Sequence, residues 1–222
     1  MMNFVTELNK SFYIHKNETV AEKQEAYLKH KFQLLGIKTP QRKELQKPFL
    51  SKNSRPKKEN LSDITIKLWN LPYREFQYVA IDLNRLYLRQ MQEKDIDIFE
   101  CMITSKSWWD SVDLIAVNLV GHYFKLFPQN KFEIIDKWMS SENIWLHRTC
   151  LIFQLKYKQE TDLELLAQII EPLIGTKEFF INKAIGWILR EYSRTNPEWV
   201  VEFVDKHELS NLSRKEALRL ID

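Results

Sequence analysis

Apolar positions along this chain recur every three or four residues, the spacing of one buried helix face. No segment alternates cleanly between apolar and polar with β-branched residues bounded by turn signals, so no strand is predicted. Phe4, Leu8 and Phe12 repeat at four, and after Glu18-Thr19 the pattern continues through Ala26-Tyr27, His30-Lys31 and Leu34. Gly36-Ile37-Lys38-Thr39-Pro40 reads as a stop followed by a start: glycine ends one helix, Thr39 caps the next and Pro40 suits its first turn. Residues 51–60, polar and basic around Pro56, read as an exposed connection.

From about residue 60 the chain repeats itself. Phe76, Trp145 and Phe180 are each followed four residues on by a small residue (Ala80, Thr149, Ala184), then by an apolar run ending near Tyr87, Tyr157 or Tyr192. With Trp108 these aromatic markers recur at roughly 35 residues, the period of helical hairpins. Longer helices are predicted over 142–157 and 177–194, and shorter ones over about 94–103, 129–139, 161–172 and 197–206. The predicted fold is all-α: an α-solenoid whose stacked helix pairs share one concave face, as a single domain spanning 1–222.

The totals remove several function classes. Only 4 glycines occur in 222 residues, and neither a dinucleotide fingerprint nor a P-loop is present. Cys101 and Cys150 stand alone, without CxxC spacing, and read as core thiols in a reducing compartment. The five histidines show no HxxxH or HxxE spacing, so no metal site is expected, and no nucleophile elbow supports Ser/His/Asp catalysis. No signal peptide or membrane span is read, and the expected location is cytoplasmic, with the protein working at the nucleoid. A net charge of +3 permits nucleic-acid binding without demanding it, so the placement of charge matters more than its sum.

Two features carry candidate chemistry. In Ser107-Trp108-Trp109-Asp110-Ser111-Val112-Asp113, Ser107 is read as an N-cap, and Trp109 and Asp113, four apart, share a helix face. An indole beside a fixed anion suits a cation or a transition state that becomes one; core packing and a helix-dipole partner are the plain alternative. On 177–194, Ile181, Ala184, Ile185, Ile188 and Tyr192 form the core stripe, while Lys183, Trp187, Arg190 and Arg194 form a second. Arg148, Ile152 and Lys156 draw a comparable line on 142–157, with Arg148 in register with Lys183 and Ile152 with Trp187. Singly, such stripes suit any solvated helix. Registered over neighbouring repeats, they predict one basic, aromatic-studded groove for a nucleic-acid backbone.

The run Lys106–Asp113 resembles the signature of the AlkD-type DNA alkylation repair glycosylases. Asn143–Arg148, Phe153–Lys158, Lys177–Tyr192 and Phe32–Pro40 are similar to the same family, so the likeness covers nearly the whole chain. It implies a HEAT-like solenoid that cradles double-stranded DNA and excises positively charged N3- and N7-alkylated purines without a cofactor or metal, acting as a monomer. Carried over residue by residue, it assigns Asp113 as the catalytic carboxylate and Trp109 and Trp187 as indoles flanking the lesion's deoxyribose. It places Arg148 on the backbone near the lesion, and Tyr27, Lys156, Phe179, Phe180 and Arg190 near DNA. It further implies water as the nucleophile, no lyase step and a base that stays stacked. Family members can extend beyond the position of Asp222, which would bear on DNA affinity. His147 receives no role.

A carboxylate about 4 Å from a unit positive charge is worth roughly 4 kcal/mol at an effective dielectric near 20. That is about a thousandfold in rate. Each indole face adds about 1–2 kcal/mol. The chemistry requires that Asp113 face a positive hollow rather than be locked in an interior ion pair. Against the enzyme stand two binders: a solenoid for bent, branched or damaged DNA, which would lack the Trp/Asp constellation, and a protein-interaction scaffold, which would lack registered cations.

Overall fold

The structure is a computed structural model and describes residues 2–221. Among the described residues the regular elements are helices, accompanied by one isolated bridge between Gln33 and Tyr73. The all-α, helical-repeat class is therefore as expected. None of the described helices is long and apolar enough to cross a membrane. The chain forms two compact units, Met1–Ile98 and Phe99–Asp222.

The first unit contains α1 (Met2–Tyr13), α2 (Glu18–Tyr27), α3 (Thr39–Leu50), α4 (Leu61–Asn70) and α5 (Arg74–Arg85); α6 (Asp95–Thr104) runs across the boundary. Its core includes Phe12 stacked on Phe76, ring centres 5.4 Å apart. The predicted continuation of α2 to Leu34 does not form. Lys29 and His30 take left-handed backbone angles, φ 58° and 54°, and turn the chain out of the helix. The segment that follows is tied instead to α5: Glu75, buried, accepts the N–H groups of Leu35, Gly36 and Ile37 at 3.0, 3.0 and 3.1 Å. Gly36 is thus not a helix stop. Its φ is +82°, and a Cβ there would lie 2.0 Å from the Asn17 carbonyl oxygen, so close backbone approach requires glycine. Thr39 is the first residue of α3 rather than its cap, with Pro40 in the first turn as expected. The connection at 51–60 is largely exposed and is fixed at its end by Lys58 on Asp95 and by the Tyr87 hydroxyl, which donates to the Pro56 carbonyl.

The second unit contains α7 (Trp109–Ile115), α8 (Gly121–Leu126), α9 (Lys131–Met139), α10 (Ile144–Ile152), α11 (Leu163–Ile170), α12 (Phe179–Ser193), α13 (Pro197–Lys206) and α14 (Asn211–Ala217). The period seen in the sequence is the offset at which one helix pair grips the next. Lys131 bonds Asp162, 31 residues on; Lys137 bonds Glu100, 37 back; the Tyr157 hydroxyl donates to the Gly121 carbonyl, 36 back; Lys156 donates to Asn118, 38 back. The repeat markers themselves converge. Trp108, Trp145 and Phe180 form one aromatic cluster with ring centres 5.0 to 5.6 Å apart. Helix α10 is shorter than the predicted 142–157, stopping at Ile152, after which the chain turns toward Lys158 at φ 53°.

Candidate active site

Lys106 adopts φ 48° and directs the chain out of α6. Ser107 is not the N-cap expected for α7: its hydroxyl donates backwards to the Ile103 carbonyl at 2.6 Å, and extended Trp108 occupies the cap position. Helix α7 then places Trp109 and Asp113 one turn apart on one face. A five-residue π-helical turn, Ala116–Val120, joins it to α8. Helix α10 is capped by Asn143, whose side chain accepts from the Trp145 N–H at 2.9 Å.

Arg148 on α10 links three repeats. Its Nε and Nη2 donate to the two carboxylate oxygens of Asp113 at 2.7 and 2.8 Å, and its Nη1 donates to the Phe180 carbonyl at 2.6 Å. This corrects the expectation that Arg148 belongs to a solvent-facing basic stripe on α10. The guanidinium side chain is 4% exposed, and the planar fork matches a carboxylate better than open water does. Ile152 is fully buried, and Lys156 lies past the end of α10, so the line Arg148–Ile152–Lys156 is not a surface stripe.

Asp113 is therefore held in an interior ion pair, the arrangement set against the chemistry above, but the pair is not sealed. Its side chain retains 15% exposure and lines a cavity of about 440 Å³. Trp109, Asp113 and Arg148 enter from α7 and α10; Phe179, Phe180, Lys183, Trp187 and Arg190 come from α12; Glu216 and Arg219 come from α14 and the turn after it. Thus the three expected catalytic residues meet in one hollow, together with five of the expected DNA-binding residues. Four of the lining side chains are cations and two are carboxylates, so the hollow is positive on balance. Burial pushes the Asp113 carboxyl above its ordinary range; the Arg148 hydrogen bond and charge oppose that, and Asp110 adds to it. Burial also lowers Lys183, with Arg190, Arg219 and Arg148 pushing the same way.

The remaining candidates lie elsewhere. Lys156 and Arg194 line a second cavity, of about 840 Å³, with Lys158 and Tyr192. Arg194 also pairs with Glu191 at 3.7 Å, at the exposed C-cap of α12. Tyr27 is exposed at the end of α2 in the first unit. His147, left without a role, places Nε2 2.7 Å from the Ser141 carbonyl and so braces the turn before α10. Sequence reasoning missed Glu216 and Arg219. Among the described residues no group of three or more His, Cys, Asp or Glu could hold a metal ion.

Compared with known proteins, residues 8–221 match the family described as DNA alkylation repair enzyme. The chain belongs to the DNA alkylation repair enzyme family. A solved structure described as a predicted DNA alkylation repair enzyme from Enterococcus faecalis is similar at 36% identity, with a TM-score of 0.87 over 93% of this chain and 96% of that one. The smu.31 protein from Streptococcus mutans UA159 shares the fold alone, at 16% identity and a TM-score of 0.61 over 92% of this chain and 98% of that one. No curated protein matches the sequence significantly. Membership in the DNA alkylation repair enzyme family gives the protein a role in the repair of alkylated DNA, and the matched residues include α12 and α14, which build most of the hollow.

Proposed function

We propose that this protein is a monofunctional DNA glycosylase, acting as one domain on duplex DNA that carries positively charged N3- or N7-alkylated purines. The observation that carries the proposal is the convergence of Asp113 with Trp109 and Trp187 in one positive hollow. In the cationic lesion the N-glycosidic bond breaks with its electron pair going to the base, which leaves neutral. The deoxyribose becomes oxocarbenium-like, water adds at the anomeric carbon, and the water's proton passes to Asp113 or to solvent. The products are an abasic site and a free alkylpurine. No acid is needed to protonate the leaving base.

Arg148 changes how much Asp113 contributes. It cancels part of the carboxylate's charge at a distance, so the roughly 4 kcal/mol of an isolated carboxylate is an upper bound. Each carboxylate oxygen has a second lone-pair site, however, and Arg148 takes one on each. The sites left can orient water toward the sugar, while the guanidinium fixes the direction in which they point. The indole faces of Trp109 and Trp187 stabilise the sugar's developing charge from either side. Lys183, Arg190 and Arg219 grip phosphates, and Phe179, 59% exposed, offers an apolar edge at the mouth. Because the sugar is reached from outside the helix, the base can remain stacked.

One observation favours a second reading. A carboxylate held bidentately by a buried arginine is also what a structural ion pair looks like, as it would in a non-enzymatic binder of bent, branched or damaged DNA. Base release separates the two. Incubation with duplex DNA methylated at N7 of guanine is expected to yield free 7-methylguanine, whereas neutral uracil stays attached. DNA binding without release of any base would leave only the binder.

A further inference from the structure

The hollow holds a second carboxylate for which the chemistry above has no use. Glu216 sits on α14 facing α12, with its side chain 7% exposed. It pairs with Lys183, Nζ to Oε2 at 2.5 Å, and with Arg190, and Arg219 stands 4.0 Å away. Gly186 makes this approach possible: a Cβ there would come within 2.6 Å of the Glu216 Cβ and 2.8 Å of the Ser213 carbonyl. The Ser213 hydroxyl donates to the Asn182 carbonyl at 2.8 Å, locking α14 to α12 next to the same spot.

A surface built only to attract phosphate gains nothing from a buried carboxylate, which cancels charge. Here the gain is geometric. Lys183 and Arg190 are seven residues apart, two turns along one face, and Glu216 spans the interval between them. Without it, three cations around one hollow would repel one another and swing toward solvent. We propose that Glu216 is a positioning residue that holds Lys183, Arg190 and Arg219 as a preformed clamp for the phosphates flanking the attacked sugar. This rests on the duplex-DNA reading above.

Salt dependence of duplex binding gives opposite signs for the rival roles. If Glu216 merely cancels charge, Glu216→Gln adds one net positive charge, and the plot of log affinity against log salt steepens. If Glu216 positions the clamp, cations leave their phosphates and the slope becomes shallower, by about 0.9 for each phosphate no longer neutralised. Glu216→Asp, which keeps the charge but withdraws it by one methylene, is expected to fall between Gln and wild type, and it covers the case of a Gln variant that does not fold. A slope equal to or steeper than that of wild type in either folded variant overturns the proposal. So does a shallower slope that appears only together with a collapsed melting transition. A wild-type protein that binds duplex but releases no 7-methylguanine removes the glycosylase reading and leaves the clamp to be judged on the slopes. Absence of salt-dependent binding by wild type overturns both.

Discussion

A carboxylate in each unit, Glu75 in the first and Asp113 in the second, is built by the same device, and the two end in different states. Glu75 at the start of α5 and Asp113 on α7 are both held by a segment about one repeat away, and burial raises both above the ordinary carboxylate range. Glu75 is 1% exposed and takes three backbone N–H groups, two on one oxygen and one on the other, and no open space adjoins it. Asp113 takes one side chain, keeps unfilled lone-pair sites and opens on a cavity lined by indoles and cations. Burial and a shifted proton affinity therefore do not mark a reactive group by themselves. What separates the two is whether lone pairs and space remain after the partners have been counted.

The largest effect expected from perturbing this contrast is structural. Arg148→Ala leaves Asp113 charged, buried and without its partner, which costs about 3–5 kcal/mol. A large fall in the denaturation midpoint, rather than uniformly weaker DNA binding, is the expected outcome; unchanged stability would mean that Asp113 is better solvated than its 15% exposure implies. Glu75→Gln sets an amide donor against an N–H donor in the first unit. A loss of about 1–3 kcal/mol is expected in denaturant melts, with single-turnover excision by the folded protein unchanged. If excision slows there, Glu75 is not the purely structural member of the pair.

The smallest effect is on pH. The proposed chemistry uses the Asp113 carboxylate, so excision should fall as pH drops through the raised pKa, by up to about tenfold per unit, with a limb above the ~3.9 of free aspartate. Stability runs the other way. The native state holds this proton more tightly than the unfolded chain does, so the contribution of Asp113 is present at low pH and is lost as pH rises through the folded value. An acid limb at or below the ordinary aspartate range would contradict the raised proton affinity.

Much of this was legible in the sequence because it is periodic. Apolar spacing gave the helices, and the recurrence of Phe76, Trp108, Trp145 and Phe180 gave the offset that the long-range hydrogen bonds obey. Trp109 and Asp113 were legible as neighbours because four residues make one helical turn. Arg148 was misread because spacing identifies a helix face but not what another repeat places against it. Gly36 looked like a stop because a left-handed glycine in a turn and one in a close approach are the same letter. Glu216 was illegible because seven-residue α14 is too short for a pattern, and its partners lie a whole repeat away.

Release of 7-methylguanine from an N7-methylated duplex under single-turnover conditions, by wild type and Asp113→Asn, tests the central claim most directly. Asparagine keeps one acceptor for Arg148, but it removes the charge and sets its amide donor against the other guanidinium N–H, so a lower denaturation midpoint is expected and rates are compared below it. The account predicts that the variant stays folded, binds the duplex with nearly wild-type affinity and releases the base about a hundredfold to a thousandfold more slowly. Equal rates for the two proteins, both folded and bound, would contradict it and make Asp113 a structural anchor for Arg148.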